Sequence, residues 1–177
     1  KPYARGINDS ILVPGEDRFI QVVSCNTHNL SAIVNTIALL DESPDNLIEG
    51  RFILIRRAND LSQSTSFIPS PQVGKHSDSV FGTHHARDAF HLFETLNLKL
   101  NLFSSAMKLN TQYMHILHFH LKLKSPTTIQ KIIAKLEKND RIALTDKINA
   151  NEVFSFGRDH GHFGRILNQA VVSVPSL

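Results

Sequence analysis

Residues 21–40, QVVSCNTHNLSAIVNTIALL, place the single cysteine of the chain where a short apolar run gives way to a helical pattern. Backbone N–H groups and the positive end of a helix dipole favour the thiolate, the reactive form of that side chain. A lone cysteine is also a common small core residue, and its position leaves both readings open. Arg56 and Arg57 close the apolar stretch RFILI and precede a long loop. Guanidinium forks match phosphate oxygens two at a time, and a strand end holds them rigidly; the plain alternative is a solvated strand end.

Most of the ten histidines cluster as His84-His85, His91, His115/His118/His120 and His160/His162. Metal ligands on a strand need alternate positions, which only His118 and His120 meet, and no cysteine or carboxylate pattern completes a set. No metal is therefore expected. His115 opens a strand on its apolar face, at the rim of the core. That position suits a partly buried base or a hydrogen-bonded structural histidine.

The elements that must position these groups follow from periodicity. Phe19–Val23 reads as a strand, and apolar residues at 30, 33, 34, 37 and 40 predict a helix that ends at Asp41-Glu42-Ser43-Pro44. Arg51–Ala58 reads as a second strand, and residues 59–83 as a functional loop without periodicity. THHARDAFHLF predicts a short helix capped by Thr83. Leu100–Leu109 and Met114–Leu123 read as strands paired with each other. In the second, Leu117, Phe119, Leu121 and Leu123 share one face, and Ile116, His118, His120 and Lys122 the other. Pro126–Lys138 predicts a helix with Pro126 near its first turn. A strand over Ile142–Thr145, helical stretches over 151–158 and part of 160–170, and a strand over Ala170–Val174 complete the chain. Neighbouring strands without intervening helices predict an α+β fold: a mixed or largely antiparallel sheet covered by helices on one face.

Length and composition narrow the function. A chain of 177 residues with 41% hydrophobic content supports one domain with a sizeable core. A net charge of +3 with scattered lysines and arginines favours small anionic ligands and argues against a nucleic-acid groove. One cysteine makes no internal disulfide, which suits the cytoplasm. No apolar stretch reaches the roughly 20 residues that span a bilayer, so no membrane partner is expected. No Gly-x-Gly-x-x-Gly follows a strand, so the chain by itself should bind NAD(P) poorly. It begins at Lys1 without an initiator methionine and reads as a piece of something longer.

Taken together, these segments resemble archaeal-type (type II) glyceraldehyde-3-phosphate dehydrogenases. VVSCNTHNL is similar to the family's Ser-Cys-Asn-Thr-Thr-Gly-Leu, ILIRRAND to its paired-arginine strand, and IPSPQ with HHARD to its Ile-Pro-Asn-Pro loop and His-His-x-x-Asp. LNTQYMH resembles Val-Pro-Thr-Thr-Leu-Met-His, and NEVFSFGRDHG the helix that comes next in the same order. His28-Asn29 stands where the family has Thr-Gly, and Asn110-Thr111-Gln112 where it has Pro-Thr-Thr.

The resemblance implies that residues 1–177 form the catalytic domain, like the family's C-terminal domain, of a dehydrogenase whose nucleotide-binding domain lies outside them. It implies that Cys25 attacks an aldehyde carbon and that His115 takes the hydroxyl proton as hydride leaves for NAD or NADP. Inorganic phosphate would then cleave the resulting thioester. Arg56 and Arg57 would bind the phosphorylated aldehyde or the attacking phosphate, with Thr27, His84 and His85 as lesser candidates, and Asn26 would meet the cofactor. A homo-oligomer is implied for the full-length protein. Two other readings stand beside this one: a related semialdehyde dehydrogenase, and a silent relative that keeps the fold as a binding or assembly module.

Overall fold

The computed structural model describes residues 1–59, 68–160 and 170–177, with the backbone alone for 156–160. Its elements are β1 (Pro2–Tyr3), β2 (Gln21–Val22), α1 (Cys25–Val34), β3 (Leu47–Arg56), β4 (Gln72–Val73), α2 (His84–Glu94), β5 (Leu102–Lys108), β6 (Ile116–Leu123), α3 (Ile129–Lys138), β7 (Ile142–Thr145), α4 (Ala150–His160) and β8 (Ala170–Ser173). Residues 60–67 of the predicted loop, and the predicted helical residues 161–169 with His162, lie outside the described residues.

The principal sheet runs β4-β5-β3-β6, with β3 parallel to β5 and antiparallel to β6, so it is mixed as expected. The predicted pairing of the 100–109 and 114–123 segments is overturned, because β3 lies between them. Phe52 sits opposite Ser104 on one side and Phe119 on the other. The reason lies in the connection. Residues that would close a tight hairpin bond instead to the chain leaving β3: Leu109 N–H donates to the Arg56 carbonyl, and Ala58 N–H to that of Thr111. β1-β2 and β7-β8 form two separate parallel pairs.

Helices α1 and α2 cover one face. Leu30, Val34 and Ala38 meet Phe52, Ala89, Phe93 and Leu102 in one core cluster. Ile33 and Ile37, on another side of the same helix, join Leu136, Ile142, Ala170 and Val172 in a second cluster. Seven of the ten residues of α1 are buried, which explains why its sequence carries little polar stripe. The helix begins at Cys25, five residues before the predicted periodicity, and passes through one π turn over Asn35–Leu39. On β6 the alternation holds, with Ile116, His118, His120 and Lys122 exposed and the odd-numbered residues turned inward. α3 starts after Pro126: Thr128 is its cap, accepting from Lys131 N–H at 3.3 Å. Among the described residues no helix is long and apolar enough to cross a membrane.

Candidate active site

The site is assembled from the start of α1, the end of β3, the start of α2 and the residue before β6. Ser24 caps α1 in an extended conformation, and its Oγ accepts from Thr27 N–H at 3.4 Å. Such a cap satisfies one of the orphan donors of the first turn. Cys25 is the first helical residue, and its thiol is exposed and outside any disulfide. Exposure removes the core-filler reading. Thr27 is fully buried and its hydroxyl lies 2.9 Å from Ser24 Oγ, so it completes the cap.

Asn26 and His85 meet across the helix interface, with Asn26 Nδ2 3.4 Å from His85 Nε2; both residues are buried. The other ring nitrogen, Nδ1, lies 3.0 Å from Thr83 Oγ1. Burial pushes the His85 pKa down to about 3, helped by the nearby His84, by the Arg56 guanidinium and by His115, which oppose a second positive charge. Thr83 flanks α2 as expected, yet its side chain makes no cap bond. Its hydroxyl instead lies 2.6 Å from Ser104 Oγ, which accepts from Ala86 N–H at 3.1 Å. Ser104 was invisible to motif reasoning. It lies on a strand at an unremarkable position, and only the pairing of Gly82 with Ser104 brings it under the helix start. His84 is exposed, and its ring stacks on that of His85 with centroids 3.9 Å apart.

Arg56 ends β3, and its Nε is buried with no acceptor among the described residues. A buried donor left unsatisfied is costly, and an anion would relieve that cost. The backbone N–H of Arg57 donates to His115 Nδ1 at 3.2 Å. A ring nitrogen that accepts carries no proton, so neutral His115 bears its proton on Nε2. Gln112, noted in the sequence only as a departure within LNTQYMH, has a structural part: its Oε1 accepts from Asn59 N–H at 3.2 Å and fastens the chain beyond the arginines. His115 and Asn29 line one part of a cavity of about 770 Å³ between β6, α3, α4 and β8. Among the described residues no group of three or more His, Cys, Asp or Glu could hold a metal.

No family model matches the chain. It is 25% identical over 171 residues to the glyceraldehyde-3-phosphate dehydrogenase of Metallosphaera sedula, covering 92% of this chain and 46% of that protein. Against the protein of the same name from Pyrococcus furiosus it is 27% identical over 165 residues, covering 89% and 44%. Against that of Picrophilus torridus it is 33% identical over 128 residues, covering 72% and 34%. The chain spans less than half the length of these relatives. Along most of its own length it is thus similar to archaeal proteins that bear the name glyceraldehyde-3-phosphate dehydrogenase.

Proposed function

We propose that this chain is the catalytic domain of an aldehyde oxidoreductase that works through a thioester on Cys25, with glyceraldehyde 3-phosphate as substrate. One observation carries the reading. The buried Nε of Arg56 has no acceptor among the described residues, and the positive charge of Arg56 acts on His85, which bonds the residue next to the exposed Cys25. An anion-bearing substrate with an electrophilic carbon fits that arrangement.

In this reading the Cys25 thiolate adds to the aldehyde carbon, and the carbonyl π pair becomes an alkoxide. His115, with Nδ1 taken by Arg57 N–H, offers Nε2–H to that oxygen as a hydrogen-bond donor. The geometry favours this role over the proton acceptor that the resemblance implies, because the nitrogen that could take a proton is already occupied.

Oxidation of the adduct calls for a hydride acceptor, which by likeness to the named relatives is NAD or NADP. The sequence carries no Gly-x-Gly-x-x-Gly motif. The junction from β2 to α1 has no glycine, and the buried Asn26 spends its amide on His85. Likeness to the named relatives, which are more than twice as long, supports placing that acceptor on a separate nucleotide-binding domain. Once the thioester exists, inorganic phosphate attacks its carbonyl carbon, the C–S bond breaks, and an acyl phosphate leaves with the thiolate restored. Arg56 and Arg57 hold the phosphate, with the exposed His84 as a further contact.

The last step runs in reverse without any cofactor, which gives the test. The chain is incubated with 3-phosphoglyceroyl phosphate and its intact mass is followed. An acyl adduct on Cys25, lost on addition of inorganic phosphate and absent in Cys25→Ser, is expected. A folded chain that forms no adduct refutes the assignment.

A further inference from the structure

We infer that His85 is a neutral positioning residue whose ring fixes the carboxamide of Asn26, and with it the helical turn that carries Cys25. Its catalytic meaning rests on the function proposed above; its geometry does not. The ring is 3% exposed and both nitrogens are engaged, at 3.0 Å by Thr83 and 3.4 Å by Asn26. No nitrogen remains for an anion, so the phosphate role implied for the His84-His85 pair falls to the exposed His84.

The bonds run in a single direction. Asn26 Nδ2 can only donate, so His85 Nε2 accepts and the ring proton sits on Nδ1. Nδ1–H then donates to Thr83 Oγ1, whose own proton goes to Ser104 Oγ. Ser104 also accepts from Ala86 N–H. In this order Thr83 gives its one proton to Ser104, which accepts twice and keeps its own proton outside the line of bonds. A second proton on the ring would set donor against donor at Asn26. The groups facing the ring are consistent with that: His84, Arg56 and His115 are cationic or become so on protonation.

The line of bonds joins α1 through Asn26, α2 through Thr83 and His85, and β5 through Ser104. It depends on a close approach of backbones at Gly82, whose φ is +72° and where an added Cβ would meet the Ser104 carbonyl. Motif reading treats the two adjacent histidines alike. The structure separates them, one facing solvent and one facing Asn26.

The experiment measures iodoacetamide alkylation of Cys25 at neutral pH in the full chain. His85→Phe and Asn26→Ala should each slow it about fivefold, the equivalent of one lost hydrogen bond, and the double variant should be no slower than either. His85→Gln, which keeps an acceptor at that position, should stay within about twofold of wild type. Additive effects, an inert Asn26→Ala beside a slow His85→Phe, or a failed His85→Gln would each overturn the inference. Nitrogen-15 spectra of the unmodified protein give a second reading that needs no variant. They should show His85 with its proton on Nδ1 and no titration from pH 5 to 8; a ring that titrates in that range, or an Nε2–H tautomer, overturns it. Neither measurement uses substrate, so a failed acylation test leaves both standing.

Discussion

Lowering the pH from 7.5 to 5.0 should cost this protein about 2 kcal/mol through His85 alone. In the folded chain the ring protonates near pH 3 and in the unfolded chain near the ordinary 6.5. Between those values the unfolded chain binds the extra proton, so stability falls as pH falls through 6.5 and goes on falling toward 3. Above 6.5 both states are neutral and the contribution vanishes. At pH 5.0 the gap is one and a half units, worth about 1.36 kcal/mol each. Urea unfolding at the two pH values should show it. With a slope of about 2 kcal/mol per molar, the wild-type midpoint drops by about 1 M more than that of His85→Gln, which keeps an acceptor and does not titrate. The comparison isolates His85, because carboxylates and the other histidines change alike in both proteins. Equal drops would refute the reasoning, and so would a larger drop in His85→Gln.

Other substitutions reach different parts of the structure. Arg56→Ala should slow phosphate discharge of acyl-Cys25 at least about tenfold, and Arg56→Lys should not restore it, because a point charge lacks the fork; stopped reactions followed by mass would show this. Gly82→Ala should destabilise by about 2 kcal/mol or more in urea, since the new Cβ meets the Ser104 carbonyl at a positive φ. Phe52→Ala empties the centre of β3, where the ring is 2% exposed, and should cost about 3–5 kcal/mol in the same assay.

The sequence carried the strand–helix junction at Cys25, the strand leading to Arg56 and the alternation on β6, because each is a local pattern of two or three turns or pleats. It was silent on partners that only tertiary structure brings together. The order of β5, β3 and β6 follows from bonds between the 56–59 and 109–115 segments, and neither segment advertises the other. Ser104 belongs to the same class, serving a helix start from a position without a motif, and Gln112, though it lies in the LNTQYMH segment, gives no local sign that it bonds the chain leaving β3. Thr27 shows the converse. Its hydroxyl, beside a reactive cysteine, invites a ligand role, yet burial turns it to the cap.

The placement of β3 at the centre of its sheet bears on how the molecule is reached from the unfolded chain. Gly50 must find Leu102 and Ile55 must find Ile116, both across long stretches of chain, before the end of β3 has a fixed direction. Such pairings are closed slowly, because the loop entropy is lost before the contacts return anything. Helix α1 is ten residues long with seven of them buried, so packing rather than local bonding holds it, and Cys25 meets an unfinished site until the sheet is in place. A refolding experiment pulsed with iodoacetamide would therefore see native-like thiol reactivity only after a delay set by the pairing of β3.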